Sequence, residues 1–489
     1  MGMVYETTQE KTLPMPIKGR PYAHQLQAFD FACRKFGLSV PYKDSNGVAL
    51  LMEMGCGKSL VGIGIAGILY QLGKIKRVLV VCPLSIVSVW QQEFARFADF
   101  PYELTILKGS SAGKKEMLSV IPDEGLQVVV VNYESTWRIE DALAGFKPGL
   151  IIADEAHKIK EARTAQSKCM HRLGDAARYK LLLTGTVITN KELDVFSQYR
   201  FLNKDIYGTS FYQFRNRYFD MVGYGHYTPR FRSWMQDDFL QRLHSIAFRV
   251  TKEECLDLPE VIEEIREVEL EPKVMWMYRE LEAESYVQLK DGDVSAVNVL
   301  TRLLRLSQLT GGHLTADDGS EPEQVSKAKL NALEDIVDTA LSENKKVVVM
   351  ARFVPELDDI QEMLEKKGIG YACVRGGVKD RAEEIRRFQE EDDCMVFIGQ
   401  IAAAGLGITL TAASTMVFYS MDYSMSNFEQ AKARIHRVSQ KNDCLYIYLI
   451  AKGTVDSKVL KSLRSKVDLA KMLVDEYRKG RNPFADQEG

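Results

Sequence analysis

Residues 48–59 read VALLMEMGCGKS, an apolar run followed by a glycine-containing loop that ends in lysine and serine. The run is typical of a buried strand, and a helical pattern follows the loop. Glycines in this setting let backbone N–H groups approach phosphates at the N-terminus of the helix. We therefore predict a phosphate loop in which Gly55 and Gly57 shape the turn, Lys58 contacts the phosphates and Ser59 holds Mg²⁺.

The same alternation of apolar runs and helical segments continues along most of the chain. The other runs are 77–83, 127–133, 149–155 and 180–186 in the first half, and 346–352, 371–376, 394–399, 415–420 and 444–451 in the second. Runs that are apolar on both faces are typical of buried parallel strands. The pattern predicts an α/β fold with two parallel sheets, each coated by helices.

Composition changes mark the predicted domain boundaries. Residues 196–250 hold 15 aromatic residues in 55 positions, and residues 253–271 hold nine acidic residues and one arginine. We predict lobe 1 at 1–195, helical insertions and a linker at 196–328, lobe 2 at 329–452, and a basic helical brace with a tail at 453–489.

The composition of the 489 residues, with 46% hydrophobic and 27% charged, is that of a globular protein of two or three domains. Eight cysteines without a CxxC pair indicate reduced thiols. No apolar stretch is long enough to span a membrane, and the N-terminus lacks a secretory signal. We expect a cytoplasmic protein. A net charge of −3 does not by itself indicate nucleic-acid binding.

The segment GLIIADEAHKIK (149–160) ends an apolar run with two carboxylates. Acidic groups at the carboxyl end of a strand can serve a metal ion and a water molecule. We predict that Asp154 holds Mg²⁺ through water and that Glu155 orients and deprotonates the attacking water. Beyond the next run, Thr184 and Thr186 could couple the acid pair to a moving domain.

The segment QAKARIHRVSQ (430–440) places Arg434 and Arg437 three residues apart on a predicted helix, and therefore on one face. Two guanidinium groups can stabilise the charge that develops during phosphoryl transfer. A solvated basic helix face is the alternative. The preceding glycine-containing turn, AAAGLGITLTAA (402–413), favours the catalytic interpretation.

Taken in order, these segments resemble a superfamily-two helicase or translocase of the Swi/Snf-related branch, from about residue 18 to residue 475. The resemblance implies two RecA-like lobes that use ATP and Mg²⁺. RPYAHQ (20–25) resembles the glutamine motif, which implies that Gln25 reads the adenine. The arginine segment resembles the family's QAxxRxHRxGQ motif, which implies catalytic roles for Gln430 and both arginines.

The resemblance also implies coupling and DNA-binding positions. Coupling between ATP and DNA is expected at His157, Thr184, Thr186, Gly405 and Gly407. VVCPLSIVSVWQQEF (80–94) and VVNYES (130–135) resemble DNA-contacting motifs. The nucleic-acid candidates in the family-like motifs are Pro83, Ser85, Asn132, Lys158 and Lys160. Independently of the resemblance, the aromatic and basic segment 196–250 offers Arg215, Arg217, Arg230 and Arg232 as candidates for phosphate contact.

Several departures bear on the subfamily. Val187, Thr189 and Ser439 replace the family's proline, glutamine and glycine, and Ala402 stands where many members have arginine. The segment 402–413 is closer to the compact fork-remodelling, annealing-helicase branch than to chromatin remodellers. The short chain suggests a phage or bacterial source.

Two local alternatives remain open in the sequence. The aromatic residues of 196–250 could stack on DNA or could form a satellite core. The basic C-terminal helix could contact nucleic acid or could brace the two lobes.

Three functions compete. The first is a DNA translocase or remodeller driven by duplex DNA, without extensive strand separation, because no segment resembles a separating pin. The second is a DNA or RNA unwinding helicase. The third is an ATP-regulated motor subunit of a defence or restriction complex. We expect a monomer that binds DNA, with duplex favoured over RNA, and no membrane partner.

Overall fold

The computed structural model describes residues 12–40, 42–185, 192–222, 228–255, 258–291, 296–314, 322–378, 380–404, 408–437, 439–465, 469, 472–473, 482 and 484. The chain divides into two compact units, Met1–Leu256 and Asp257–Gly489. We call them unit 1 and unit 2. Among the described residues, no helix combines the length and the apolar character that a membrane span requires.

Unit 1 alternates strands and helices from its first helix onward. Its strands are β1 (Gly47–Met52), β2 (Arg77–Cys82), β3 (Glu103–Ile106), β4 (Gln127–Asn132), β5 (Leu150–Asp154), β6 (Tyr179–Thr184), β7 (Phe219–Val222), β8 (Thr228–Phe231) and β9 (Ala247–Val250). Its helices are α1 (Ala23–Lys35), α2 (Lys58–Gln71), α3 (Val87–Phe97), α4 (Ser111–Ser119), α5 (Tyr133–Thr136), α6 (Glu140–Phe146), α7 (Ala165–Ala176), α8 (Asp194–Leu202), α9 (Lys204–Tyr207), α10 (Phe211–Tyr218), α11 (Gln236–Ser245) and α12 (Lys252–Cys255).

The main sheet of unit 1 is parallel and has the strand order β3-β4-β2-β5-β6-β1-β9. Every residue of β1, β4, β5 and β6 is buried, which explains their continuous Val, Leu and Ile content. In a parallel sheet all carboxyl ends lie at one edge, so the loops that follow β2, β4, β5, β6 and β1 share that edge. The strand order places the ends of β5, β6 and β1 side by side, and the ends of β4 and β2 beside them.

Unit 2 begins with an edge strand and repeats the parallel arrangement. Its strands are β10 (Val261–Val268), β11 (His313–Leu314), β12 (Glu323–Gln324), β13 (Lys346–Ala351), β14 (Gly370–Val374), β15 (Cys394–Gln400), β16 (Ala413–Phe418) and β17 (Cys444–Ala451). Its helices are α13 (Pro272–Asp291), α14 (Ala296–Thr310), α15 (Ala328–Ser342), α16 (Val354–Lys366), α17 (Arg381–Glu390), α18 (Ile401–Ala404), α19 (Met425–Lys432) and α20 (Val455–Ser465). The main sheet has the order β10-β17-β16-β13-β15-β14 and is parallel throughout.

The prediction of an α/β fold with two parallel sheets is confirmed, and each of the ten predicted runs corresponds to a strand of one of these sheets. The sequence analysis did not anticipate β3, β9 and β10. These strands lie at sheet edges and are exposed or short, so they lack the continuous apolar run of a central strand.

The structure divides the segment 196–328 differently from the predicted domain boundaries. Helices α8–α12 and strand β9 belong to unit 1, where β9 pairs with β1. Strand β10 pairs with β17, and α13 and α14 pack into the core of unit 2. The segment is also not purely helical, because β7 and β8 form an antiparallel hairpin. Most of the predicted insertion is therefore part of unit 1 or of unit 2, because its apolar residues are buried against the two sheets.

Candidate functional site

The phosphate loop connects β1 to α2 at the carboxyl edge of the sheet. Gly55 and Gly57 have φ angles of 94° and 83°, a region that glycine adopts without strain. Gly57 is the N-cap of α2, and the first turn of this helix holds no acidic residue. The exposed N–H groups and the helix dipole at this end favour an anion. Ser59 is the second residue of α2, as the motif requires.

Lys58 is buried at the start of α2, and its side chain points back to the loop. Its Nζ donates hydrogen bonds to the carbonyl oxygens of Met52, at 2.9 Å, and Glu53, at 3.4 Å. These carbonyl groups satisfy the ammonium within the loop itself. Lys58 is thereby held at the end of β1, where an incoming phosphate group would meet it.

Gln25, the predicted adenine reader, braces this loop. Its Nε2 donates a hydrogen bond to the carbonyl of Cys56 at 3.3 Å, and its Oε1 accepts one from the backbone N–H of Tyr22 at 3.0 Å. His24 Nε2 lies 2.9 Å from the same carbonyl of Cys56. A Cβ atom on Gly57 would lie 2.2 Å from Gln25 Nε2, so the contact requires glycine. The glutamine motif and the phosphate loop therefore form one local structure.

The acid pair lies at the end of β5, two strands from β1. One carboxylate oxygen of Asp154 accepts a hydrogen bond from Trp90 Nε1 at 3.0 Å, and the other accepts one from the backbone N–H of Glu155 at 2.9 Å. Tyr133 donates a hydrogen bond from its hydroxyl to the Asp154 carbonyl at 2.9 Å. The contacts of Trp90 and of the Glu155 N–H hold the carboxylate, and Tyr133 holds the backbone of the same residue at the sheet edge.

Burial and the neighbouring Glu155 carboxylate raise the pKa of Asp154 to about 7. The positive charge of Lys58 and the Trp90 hydrogen bond oppose this shift. Lys58 and Asp154, separated by almost 100 residues in sequence, are thus electrostatic neighbours. A buried carboxylate with a raised pKa is short of positive charge, and a bound cation would supply it.

Glu155 has a φ angle of 50°, which places a residue other than glycine in the left-handed region. Such a conformation costs roughly 1–2 kcal/mol and often occurs at functional sites. The Glu155 carboxylate lies 3.3 Å from Nδ1 of His157, one of the predicted coupling residues. The strained backbone turns Glu155 out of the strand direction while its side chain stays largely buried.

The predicted coupling threonine Thr184 is the last residue of β6, and it is buried. Its register partner on β1 is Leu51, next to the start of the phosphate loop. On the other side of β6, Leu183 pairs with Asp154. Thr184 therefore lies between the phosphate loop and the acid pair. Thr186, Gly405 and Gly407 lie outside the described residues.

The motif-derived nucleic-acid candidates of unit 1 follow β2, β4 and β5. Pro83 is the N-cap of the 3₁₀ turn Leu84–Ile86, which contains the backbone of Ser85. Lys158 lies in the 3₁₀ turn Ala156–Ile159, and Lys160 follows that turn. Because β4 and β2 are adjacent, their candidates occupy one half of the sheet edge, and the predicted ATP residues of β5, β6 and β1 occupy the other.

Asn132, at the end of β4, is buried in a hydrogen-bond network. Its Oδ1 accepts hydrogen bonds from Ser135 Oγ at 2.6 Å and from Lys114 Nζ at 3.4 Å. Its Nδ2 donates to Glu134 Oε2 at 2.8 Å. Burial lowers the pKa of Lys114. Asn132 therefore shapes this loop through protein contacts, and its predicted DNA contact remains a prediction.

The four arginines predicted in the aromatic segment differ in their surroundings. Arg217 pairs with Asp238 at 3.2 Å, and Arg232 pairs with Asp220 at 2.9 Å. Arg230 is exposed on β8. Arg215 lies over an aromatic ring on α10. The two paired arginines have their charge neutralised by carboxylates and are weaker candidates for phosphate contact than the other two.

The predicted helix over residues 430–440 ends earlier in the structure. Gln430 lies on α19 and donates a hydrogen bond to Ser426 Oγ at 3.1 Å, whereas Arg434 and Arg437 lie in the turns that follow. The helix ends at Lys432, and beyond it the Arg434 carbonyl accepts a hydrogen bond from the backbone N–H of Leu410 at 2.9 Å. The prediction that the two arginines share one helix face is therefore wrong.

The two arginines are held by contacts within unit 2. Arg434 is 1% exposed, and its guanidinium donates a hydrogen bond to the Ile408 carbonyl at 3.1 Å. Arg437 is partly exposed and donates to the Ala433 carbonyl and to Thr409 Oγ1, both at 2.8 Å. Both arginines thus contact the segment that follows α18, which contains the predicted glycine-containing turn.

Trp90 and Tyr133 are the site residues that the sequence analysis missed. Each lies in a motif that was assigned to DNA, yet each donates a hydrogen bond to Asp154. The sequence offers one indication of their role: a buried indole N–H or phenol hydroxyl usually needs a hydrogen-bond partner. The partner itself depends on the strand order, which places β2 between β4 and β5.

Two parallel-sheet units, the predicted phosphate loop and the strand-end acid pair are the features that the resemblance to a helicase-type ATPase implies. Comparisons with known proteins identify the family: the SNF2-related domain matches residues 24–311, and the helicase conserved C-terminal domain matches residues 328–439. The first of these matches covers more than half of the chain. The chain therefore belongs to the SNF2-related, Swi/Snf family of superfamily-two helicases.

Curated relatives match most of this chain. The chromodomain-helicase-DNA-binding protein 1-like of Mus musculus is 27% identical over 88% of the chain and 48% of its own length. The DNA repair and recombination protein RAD54-like of Gallus gallus is 26% identical over 88% of the chain and 64% of its own length. The third relative is a Caenorhabditis elegans homologue of the SWI/SNF-related matrix-associated actin-dependent regulator of chromatin subfamily A-like protein 1. It is 28% identical over 90% of the chain and 61% of its own length.

The chain thus spans about half to two thirds of the length of these relatives. Because their identities to the chain are so similar, the likeness to the annealing-helicase branch stays a prediction. Among solved structures, the Sulfolobus solfataricus SWI2/SNF2 ATPase core in complex with dsDNA is similar, with 22% identity, a TM-score of 0.46, and coverage of 97% of this chain and 99% of that chain.

Proposed function

We propose that this protein hydrolyses ATP in response to duplex DNA and moves along the duplex without extensive strand separation. The observation that carries the proposal is the convergence of the phosphate loop and the acid pair at the ends of β1 and β5, on either side of β6, where Lys58 and Asp154 interact electrostatically. Membership of the SNF2-related family supports a DNA-associated motor. We expect the protein to act as a monomer.

The residues at this edge fit Mg²⁺ and ATP. The α2 N-terminus and Lys58 are suited to the phosphates, and Ser59 and Asp154 would hold the metal ion. When bound, Mg²⁺ neutralises charge on the phosphate oxygens. The raised pKa of Asp154 supports this assignment, because the carboxylate lacks a full positive partner. Gln25 would position the base through the loop that it braces.

Glu155 is the proposed general base for the attacking water. A positioned base of this kind contributes on the order of 10²–10⁴ to a hydrolysis rate. His157, 3.3 Å from the Glu155 carboxylate, would hold this side chain in place. Arg437 and Arg434 of unit 2 are the proposed groups that stabilise the transition state, with Gln430 beside them. In this mechanism the arginines act only when the two units close on ATP. Each cycle of ATP hydrolysis would therefore change the contacts with DNA.

A triplex-displacement assay tests the proposal. The substrate is a duplex that carries a labelled third strand, and the control is Lys58→Ala, which removes the phosphate-binding ammonium. We expect ATP-dependent release of the third strand while the duplex stays paired, and no release by the variant. Separation of the duplex strands would instead support an unwinding helicase. ATP hydrolysis without any displacement would support a motor subunit that needs a partner complex.

A further inference from the structure

The aromatic residues of α8–α11 fall into a buried set and an exposed set. Tyr207, Phe214, Tyr218 and Phe239 are buried and contact one another through their rings. They belong to the hydrophobic core of unit 1, which also contains residues of its main sheet, rather than to the separate satellite core that one alternative predicted. Tyr212 is different, because it is 56% exposed although it lies on the same short helix as Phe214. Its exposure needs a separate explanation.

Tyr212 lies between two arginines. Arg215 is three residues further along α10, on the same helix face, and its guanidinium carbon is 5.3 Å from the Tyr212 ring centroid. Arg163 approaches from the segment before α7; its guanidinium carbon is 5.8 Å from the same centroid, and Nη2 donates a hydrogen bond to the Tyr212 hydroxyl at 2.9 Å. We call these three residues the tyrosine platform.

The charges of the platform distinguish it from other arginines of unit 1. Arg172, Arg200 and Arg217 each pair with a carboxylate. Within the described part of the chain, neither Arg163 nor Arg215 has a carboxylate within ion-pair distance. The Nε of Arg215 is moreover buried and has no hydrogen-bond partner among those residues. The platform thus presents two positive charges and an aromatic ring on a residue that is 56% exposed, without an acidic partner among the described residues.

We propose that the tyrosine platform binds an unpaired nucleotide of DNA, with its base stacked on Tyr212 and its phosphate beside Arg163 and Arg215. Paired bases inside a duplex cover each other's faces, whereas an unpaired base exposes a face that stacks on an aromatic ring. Guanidinium groups bind phosphate strongly and remain charged at all relevant pH values. This chemistry selects DNA that carries a single-stranded arm, such as a fork.

The position of Arg163 connects the platform to the acid pair. Arg163 follows Glu155 by eight residues, in the segment that joins the acid motif to α7. The backbone carbonyl of Lys158 in this segment accepts a hydrogen bond from Gln166 Nε2 of α7 at 2.5 Å. A nucleotide held by Arg163 would therefore contact the segment that leads back to Glu155. This part of the inference rests on the proposed function. It predicts that forked DNA activates ATP hydrolysis in addition to the activation by duplex DNA.

The first test measures DNA binding without nucleotide, by fluorescence anisotropy, with a fork that has one single-stranded arm and with a blunt duplex of equal length. Tyr212→Ala should weaken fork binding by roughly 5- to 150-fold, the range for the loss of one stacked base. Blunt-duplex binding should change less than two-fold. Tyr212→Phe retains the ring and should keep most of the fork affinity.

Two matched controls separate the platform from general surface effects. Tyr42 is 62% exposed, so Tyr42→Ala removes an equally exposed ring elsewhere on unit 1. Arg172 is paired with Glu140, so Arg172→Ala removes an exposed arginine that is already neutralised. Arg163→Ala should weaken fork binding and reduce its dependence on salt, whereas both controls should match the parent.

Parent-like fork binding by Tyr212→Ala would overturn the inference, as would an equal loss on fork and blunt duplex. The ATPase of the same proteins distinguishes this failure from that of the proposed function. Tyr212→Ala should keep the parent rate with blunt duplex and lose the additional stimulation by the fork. A parent protein that binds the fork through Tyr212 but hydrolyses no ATP would contradict the proposed function and support the platform.

Discussion

The proposed catalytic groups of unit 1 and of unit 2 are held in different ways. In unit 1, Lys58 and Asp154 come from different strand ends and already interact, and Trp90 reaches Asp154 from a third element. In unit 2, Arg434 and Arg437 are close in sequence and bind the carbonyls and hydroxyl of their own neighbouring turns. One set converges on the proposed nucleotide position, whereas the other is hydrogen-bonded within its own unit.

This difference indicates a division of labour within the proposed mechanism. Groups that converge within one unit can bind nucleotide without help from the other unit. Groups that must leave local partners contribute only in a state where a better partner, such as the developing charge on phosphate, is present. Binding should therefore depend mainly on unit 1, and turnover on both units.

The largest expected effect is that of Arg437→Ala. If this arginine stabilises the transition state, turnover at saturating duplex DNA should fall by roughly 10³–10⁵. ATP affinity should stay within two-fold of the parent, because the ground state does not need the guanidinium. Steady-state ATPase and fluorescent-nucleotide binding on the same preparation measure the two quantities.

Arg434→Ala sharpens this comparison within unit 2. Arg434 is buried, so its removal should also lower the free energy of unfolding, by roughly 2–4 kcal/mol, through a cavity and an unpaired carbonyl. Arg437→Ala should lower it by less than about 1 kcal/mol. Equal unfolding curves for the two variants would contradict the expectation that buried Arg434 contributes more to stability than partly exposed Arg437.

Glu155→Gln should separate binding from hydrolysis inside unit 1. The amide keeps the shape of the side chain but cannot accept a proton from water, so turnover should fall on the order of 10²–10⁴. Nucleotide binding should persist. A variant that turns over normally, or one that no longer binds nucleotide, would show that Glu155 is not the general base.

The smallest expected effect concerns pH and Trp90. Protonated Asp154 cannot serve a cation, so kcat/KM for ATP should fall as the pH drops below about 7, the raised pKa of this group in the free protein. Trp90→Phe removes a hydrogen bond that favours the ionised form. The acidic limb should therefore move to higher pH, by up to about one unit.

Trp137→Phe is the matched control for Trp90→Phe, because Trp137 is 46% exposed and its indole lies beside Arg138 rather than an acid. Its pH profile should overlay that of the parent. Identical profiles for the parent and for Trp90→Phe would mean that the indole hydrogen bond does not tune Asp154.

The parts of the site that sequence reasoning predicted are those encoded locally. The phosphate loop needs glycines, lysine and serine within a few residues of a strand, and the acid pair ends the apolar run of β5. The fold class was also predictable, since the central strands are apolar on both faces. For these features, neighbouring residues decide the structure.

The rest depends on contacts between distant segments. Trp90 meets Asp154 only because β2 lies beside β5. Arg434 lies beyond the end of the helix at Lys432, where its carbonyl accepts a hydrogen bond from Leu410, 24 residues earlier in the chain. The aromatic segment looked uniform, yet helix packing buried Phe214 and exposed Tyr212. A pattern of residue types cannot distinguish these outcomes before the elements are placed.

The most direct test of the central claim is the ATPase rate of the full chain with matched lengths of duplex DNA, single-stranded DNA and RNA. We predict the highest rate with duplex DNA, a decline of this stimulation as salt increases, and almost no activity in Lys58→Ala with any of the three. A highest rate with RNA, a parent rate that does not respond to nucleic acid, or parent-like turnover by Lys58→Ala would contradict the account.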